Sequence, residues 1–187
     1  MSVVDVLRKS PLLILIVSSL TLNAALAARV QRQRGIIKSL TPGPVLKVGD
    51  RFGPLTGTTL QGEPATLVPA EHAGLVLYVY TASCGWCVRN ANNMRETLNA
   101  ARLRGMSVYA LALDRKGAKE FLDSHSVEAS IVVPSDAAKE AYSLGGTPQM
   151  LIIGPDGRIV KNWRGAFNKS TAAEVEAYFK ISLPGLS

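Results

Sequence analysis

The longest uninterrupted apolar stretch lies near the start of the chain. Pro11 to Ala28 (PLLILIVSSLTLNAALAA) runs for 18 residues without a charge, between Arg8 and Lys9 on one side and Arg29 on the other. That length is at the short end of what spans hydrocarbon as a helix. Only Ser, Thr and Asn interrupt it, which argues for a membrane segment over a buried core helix. Ala25-Leu26-Ala27 also has the small-x-small form of a signal-peptide cleavage site. The apolar stretch runs up to that site, and the following RVQRQRGIIK can continue as helix, so a retained anchor is favoured over a cleaved signal peptide.

Beyond it, SLTPGPVLKVGD (residues 39–50) holds two prolines and two glycines and predicts an extended linker, with the folded domain starting near Val48. Leu55–Thr59 and Ala65–Val68 flank the turn-prone Gln61-Gly62-Glu63-Pro64, which predicts a short hairpin. LVLYVY (Leu75–Tyr80) is continuously apolar and β-forming, the pattern of a strand covered on both faces. Val88, Ala91, Met94, Leu98 and Ala101 then recur every three or four residues, with Arg89, Asn90, Arg95 and Glu96 on other faces, predicting an amphipathic helix that ends near Gly105. Ser107–Leu113 predicts a second buried strand, Gly117–Ser124 a short helix, Ser130–Val133 a small extended piece and Ala137–Ser143 another helix. Met150–Ile153 and Ile159–Trp163 predict a hairpin around Pro155-Asp156-Gly157. The last helix is expected to open with a capping box, Thr171-Ala172-Ala173-Glu174, and to bury Val175, Tyr178 and Phe179. The order of elements predicts an α/β domain, a central mixed β-sheet flanked by helices. The expected division is 1–40 for the anchor or signal segment with its juxtamembrane stretch, and 41–187 for the domain.

The charge of +7 is unevenly placed. Residues 1–40 hold six Lys or Arg (Arg8, Lys9, Arg29, Arg32, Arg34, Lys38) against Asp5, which leaves +5 there and +2 for the rest. The domain has no basic run with interleaved aromatics, so nucleic-acid binding is not expected.

The chain has two cysteines, Cys84 and Cys87, three positions apart. A disulfide closing so small a loop removes little entropy from the unfolded chain, so the pair reads as a reactive site and not a staple. Zinc would need four ligands, and only His72 and His125 stand beyond these two sulfurs; no metal or cofactor is expected. Both histidines read as solvated loop residues.

Cys84-Gly85-Trp86-Cys87 falls where the buried strand gives way to the helix. Free amides and the positive end of the helix dipole favour a thiolate at Cys84, making it the nucleophile. Cys87, one turn further in, would displace the substrate from the mixed disulfide. Gly85 and Trp86 would tune the potential, Gly85 by leaving the attacked sulfur uncrowded and Trp86 by offering a flat apolar surface to substrate. Gly145-Gly146-Thr147-Pro148 precedes the Met150 strand, and its proline must take an edge or a bend.

LVLYVYTASCGWCVRN, followed some 55 residues later by YSLGGTPQMLIIGPDGRIVKNWRG, resembles the thioredoxin superfamily and, within it, the membrane-anchored TlpA/ResA-like thiol-disulfide oxidoreductases. The resemblance covers about residues 46–182. It implies a thioredoxin-like fold and a cis bond between Thr147 and Pro148, with the Thr147 backbone and Pro148 contacting substrate beside the cysteines. It further implies an extracytoplasmic monomer that exchanges disulfides with protein thiols, as a reductant fed by a membrane or soluble electron donor. The positive residues after the apolar segment outnumber those before it, which by the positive-inside rule favours a cytoplasmic C-terminal side. A domain of this length can nonetheless be translocated, and the resemblance places it outside. Two positions depart from the family pattern. Tyr78 stands six residues before the first cysteine, where many thioredoxins keep a buried acid, and Trp86 stands where proline is more usual.

Two other functions are open at the level of sequence. Thr81-Ala82-Ser83-Cys84 matches the Thr-x-x-Cys arrangement of peroxiredoxin-like thiol peroxidases, although Leu77 stands where those carry proline. A non-catalytic thioredoxin-fold binding module would use the surface around Trp86 and Pro148 to hold partners.

Overall fold

The computed structural model describes residues 11–40, 46–68 and 73–187. Arg8, Lys9, linker residues 41–45 and His72 therefore lie outside the described residues. The chain divides into two compact units, Met1–Pro42 and Gly43–Ser187. The first unit carries one helix, α1 (Pro11–Leu40). Its stretch Ile14–Gln31 has a mean hydropathy of 1.4 and is long and apolar enough to cross a membrane. Leu15, Leu20 and Leu22 are exposed on it.

The second unit is built on one seven-stranded sheet. Its strands are β1 (Leu55–Thr58), β2 (Pro64–Leu67), β3 (Leu75–Tyr80), β4 (Ser107–Ala112), β5 (Ser130–Pro134), β6 (Gln149–Ile153) and β7 (Ile159–Arg164), in the spatial order β2-β1-β5-β4-β3-β6-β7. β3–β4 and β4–β5 pair in parallel and the remaining neighbours antiparallel, so the sheet is mixed as expected. At Gly57 the backbones of β1 and β5 approach so closely that a Cβ would strike the Val133 carbonyl, which is why a strand former cannot stand there. Contacts with the sheet begin beside Val48: the Leu46 carbonyl accepts from Asn162 Nδ2 at 2.8 Å. Gly49 N donates to Ile159 O, Ile159 N to Asp50 O and Phe52 N to Gly157 O, so this stretch covers the outer edge of β7.

The period of two in β3 decides which core each side chain joins. Val76, Tyr78 and Tyr80 face one cluster, Leu75, Leu77 and Val79 the other, and all six are fully buried. The helices are α2 (Gly85–Arg89), α3 (Ala91–Leu103), α4 (Ala118–Ser124), α5 (Asp136–Ala141) and α6 (Lys169–Phe179). α3, α4 and α6 supply Met94, Leu98, Phe121, Leu122, Val175 and Phe179 to the first cluster, and α5 supplies Ala138 to the second. This is the thioredoxin-like α/β fold, a central mixed sheet flanked by helices, preceded in sequence by an apolar helix.

Three local expectations are corrected. The helix predicted from Val88 starts at Gly85 and is interrupted at Asn90. Val88 is exposed and Cys87 takes its place on the buried stripe, while Asn90 is fully buried instead of facing solvent. The capping box at Thr171 does not form. The cap of α6 is Asn168, whose side chain accepts from Thr171 N at 3.0 Å, and Glu174 instead accepts from Trp163 Nε1 at 3.1 Å. A helix opened three residues earlier leaves no free amide for the predicted pair to satisfy. Tyr178, expected to be buried, is half-buried at the rim of the core.

Candidate active site

β3 ends at Tyr80 and α2 begins at Gly85, so the two cysteines sit at the exit of the best-covered strand in the domain. Cys84 is the cap residue of α2, with extended backbone angles (φ −80°, ψ 109°). Its Sγ accepts from the Cys87 amide at 3.2 Å, and its carbonyl takes the first helical hydrogen bonds, from Cys87 N at 2.9 Å and Val88 N at 3.1 Å. Cys87, one turn on, is fully buried, whereas Cys84 is only partly so; both are free thiols.

Burial works against ionising Cys84, but hydrogen bonds from the Cys87 thiol, from Thr147 and from the Cys87 and Trp86 amides outweigh it and hold its pKa below that of an ordinary cysteine. Burial and the adjacent Cys84 push Cys87 the other way, up to about 12. The fold therefore favours a thiolate at Cys84 and keeps the Cys87 thiol neutral.

The Thr147–Pro148 bond is cis, and the Cys84 thiol donates to the Thr147 carbonyl at 3.5 Å. The structure thus brings the two sequence-distant motifs together. Gly85, Gly145 and Gly146 are exposed, and a Cβ at any of them would meet nothing within 4 Å. Trp86 is 55% exposed with the Arg89 guanidinium 5.0 Å from its ring centroid, so an apolar face and a cation lie together on the helix that Cys84 caps.

His125 follows α4, half-buried against Phe121 with ring centroids 4.8 Å apart, where its predicted place was a solvated loop. Among the described residues no group of three or more His, Cys, Asp or Glu is arranged to hold a metal ion.

Asn90 was missed as a site-building residue. It closes α2 by donating its backbone N–H to Trp86 O at 3.1 Å, and its Oδ1 accepts from Asn93 Nδ2 and from Phe167 N, each at 3.1 Å. Asn93 Oδ1 in turn accepts from Gly185 N at 2.9 Å, and Ser187 N donates to Arg89 O at 3.1 Å. The helix bearing the cysteines is thereby tied both to the loop before α6 and to the last residues of the chain.

Residues 48–162 match the AhpC/TSA family. The chain belongs to that family. No curated protein matches the chain. The domain of this AhpC/TSA member is similar to the thioredoxin domain of a thiol-disulfide oxidoreductase from Bacteroides vulgatus, at 22% identity over 72% of this chain and 99% of that one, with a TM-score of 0.59. It is also similar to a peroxiredoxin-like protein from Aquifex aeolicus, at 19% identity over 74% and 89% of the two chains, with a TM-score of 0.57. A secreted Mycobacterium tuberculosis disulfide oxidoreductase matches at 18% identity over 66% and 94%, with a TM-score of 0.54. At these identities the likeness is one of fold, and it spans nearly the whole of each relative.

Proposed function

We propose that this AhpC/TSA-family protein is a thiol-disulfide oxidoreductase that acts on protein substrates through Cys84 and Cys87. The supporting observation is the split between the two thiols: the partly exposed one is lowered in pKa and the buried one, one helical turn away, is raised. The Cys84 thiolate attacks a substrate disulfide, forming one S–S bond as the substrate's own breaks. Cys87 then attacks Cys84, the internal disulfide closes, and the substrate leaves with both of its sulfurs reduced. Two electrons pass from the dithiol to the substrate, so a membrane or soluble donor must return two for each turnover.

In this reading the bare edges at Gly85 and at Gly145-Gly146 admit an extended segment, which the Thr147 backbone and Pro148 orient and the Trp86 face packs against. Residues 1–40 form a retained signal-anchor with its juxtamembrane stretch, and 41–187 the redox domain, a monomer facing the extracytoplasmic side as a reductant. The apolar Ile14–Gln31 segment supports the anchor, and the secreted mycobacterial relative is consistent with that side.

A thiol peroxidase is the second reading, favoured by the family match and by the Aquifex neighbour. Against it, Leu77 is locked into the core of β3, where the peroxidase pattern carries proline, and Cys87 lies within a turn of the nucleophile. The discriminating experiment compares reduction of a protein disulfide with consumption of hydrogen peroxide by the reduced protein. The expected result is turnover of the disulfide, abolished by Cys84→Ser, with peroxide oxidising Cys84 no faster than an ordinary low-pKa thiol. Rapid peroxide consumption through a sulfenic acid at Cys84 would establish the peroxidase instead. Disulfide exchange that survives Cys84→Ser would defeat both.

A further inference from the structure

Residues 143–148 lead from the end of α5 to the start of β6 and carry Thr147 and Pro148, yet little within the segment holds them in place. Gly145 and Gly146 are exposed, and a Cβ at either would meet nothing within 4 Å. Two adjacent glycines leave a backbone with more freedom than any other pair. The Thr147 carbonyl nonetheless stands 3.5 Å from the Cys84 thiol, which donates to it. The restraint must come from the two ends of the segment.

The far end is held by the sheet. Gln149 is buried, paired with Val79 of β3 on one side and with Arg164 of β7 on the other. Its Nε2 donates to Asn162 Oδ1 at 2.9 Å. One residue earlier, the Pro148 carbonyl accepts from Gly165 N at 2.7 Å.

The near end is a helix terminus. Leu144 N donates to Lys139 O at 3.0 Å and Ser143 N to Glu140 O at 3.3 Å, the pair of bonds that closes a helix through one left-handed residue. That residue is Ser143, with φ of 49°. Glycine is usual there because a side chain is strained in that conformation, and such strain persists only where the surroundings enforce it. The Ser143 carbonyl accepts from Arg164 Nη2 at 3.0 Å. Arg164 is the last residue of β7. Arg164 and Gly165 therefore hold both ends of the segment, the first by its side chain and the second by its main chain.

We propose that Arg164 is a positioning residue for substrate: its bond to the Ser143 carbonyl fixes the Gly145-Gly146 segment so that Thr147 and Pro148 meet an incoming chain at a set distance from Cys84. The inference rests on the oxidoreductase reading, in which those two residues orient the substrate. A guanidinium suits the task, because a charged donor bonds a carbonyl more strongly than a neutral one and stays charged at any working pH. Without it the near end pivots about the glycines, and the substrate must order the segment as it binds. That cost falls on the binding of an extended partner and not on the sulfur chemistry. A small disulfide, which reaches Cys84 without lying along Thr147, escapes it.

The test uses the full chain with Arg164→Met, which removes the donor and keeps most of the stem, and Arg164→Lys, which restores the single donor that the Ser143 carbonyl needs. Stopped-flow mixing of the reduced protein with increasing amounts of a protein disulfide gives a second-order rate constant and a limiting rate at saturation. The same mixing with a small aromatic disulfide reads the reactivity of Cys84 alone. For Arg164→Met the expected result is a second-order constant about three- to tenfold lower with the protein disulfide, the worth of one hydrogen bond, an unchanged limiting rate, and a small-disulfide rate within about twofold of the wild type. Arg164→Lys should recover most of the loss. Equal slowing with both disulfides would show damage to the thiol site itself and overturn the role of Arg164. So would an unchanged protein-disulfide reaction, a loss confined to the limiting rate, or a lysine variant as slow as the methionine one. Each of these leaves the exchange by the wild type intact. A wild type that reduces neither disulfide defeats the oxidoreductase reading, and this proposal with it.

Discussion

Replacing Cys87 with serine should convert each encounter with a protein disulfide into a mixed disulfide that stays on Cys84. The buried thiol is held one turn from the nucleophile and attacks intramolecularly. Effective molarities of well-placed groups exceed those of any external thiol by many orders, so spontaneous release should fall by at least about a thousandfold. Cys84 should still attack: the largest of the hydrogen bonds that lower its pKa, from the Cys87 side chain, passes to the serine hydroxyl, and those from Thr147 and from the backbone amides of residues 86 and 87 remain. Placing a hydroxyl in the apolar site of Cys87 costs about 1–3 kcal/mol, which a domain of this size tolerates. Non-reducing gels and mass spectrometry of captured species read out the result and name the substrates. Free release at the wild-type rate would mean that Cys87 is not the resolving thiol.

Asn90→Ala should destabilise the domain and disturb the thiol site together. It removes the acceptor shared by Asn93 Nδ2 and Phe167 N, both in buried surroundings. Each stranded donor costs about 1–3 kcal/mol, so a loss of about 3 kcal/mol is expected, or about 6–12 °C in Tm. The loss should be larger than that of Asn99→Ala, an exposed position on α3. With the helix freed from the Phe167 loop, the cap at Cys84 loosens, and the alkylation midpoint of Cys84 should drift up towards that of free cysteine. A stability change below about 0.5 kcal/mol, the range of ordinary surface substitutions, would show that the network carries no strain-bearing load.

The strands were legible because their signals are local. LVLYVY reads as doubly covered, and it is buried throughout. Pro155-Asp156-Gly157 marks its hairpin without help from the rest of the chain. The position of the cysteines followed from the same logic, a strand ending and a helix beginning within a few residues. What remained hidden depends on partners far along the chain. Cys87, Asn90, Ala91, Met94 and Leu98 already keep helical spacing, and the run would have placed Asn90 on the buried stripe. Its polarity argued otherwise, because the donors that satisfy it sit at Asn93 and at Phe167, 77 positions away. Glu174 was read as half of a local cap and is used instead by the indole of Trp163. The last residues show no periodicity, yet Leu183 N donates to Glu176 Oε1 at 2.8 Å and Gly185 N to Asn93. The proximity of Thr147 to Cys84 came from a family resemblance, since no spacing rule brings residues 63 apart to within 3.5 Å.

The fold gives its two thiols opposite acidities, Cys84 lowered and Cys87 raised. Alkylation of the reduced wild-type protein over a pH series, with the modified residue assigned by mass spectrometry, measures this directly. Cys84 should react with a midpoint below that of free cysteine, since its thiolate is favoured in the folded state. Cys87 should stay unmodified until the pH nears about 12 or the protein unfolds. A Cys84 midpoint at or above that of a free thiol, or modification of both residues together at neutral pH, would show that the two thiols are not set apart and leave the proposed exchange without a basis.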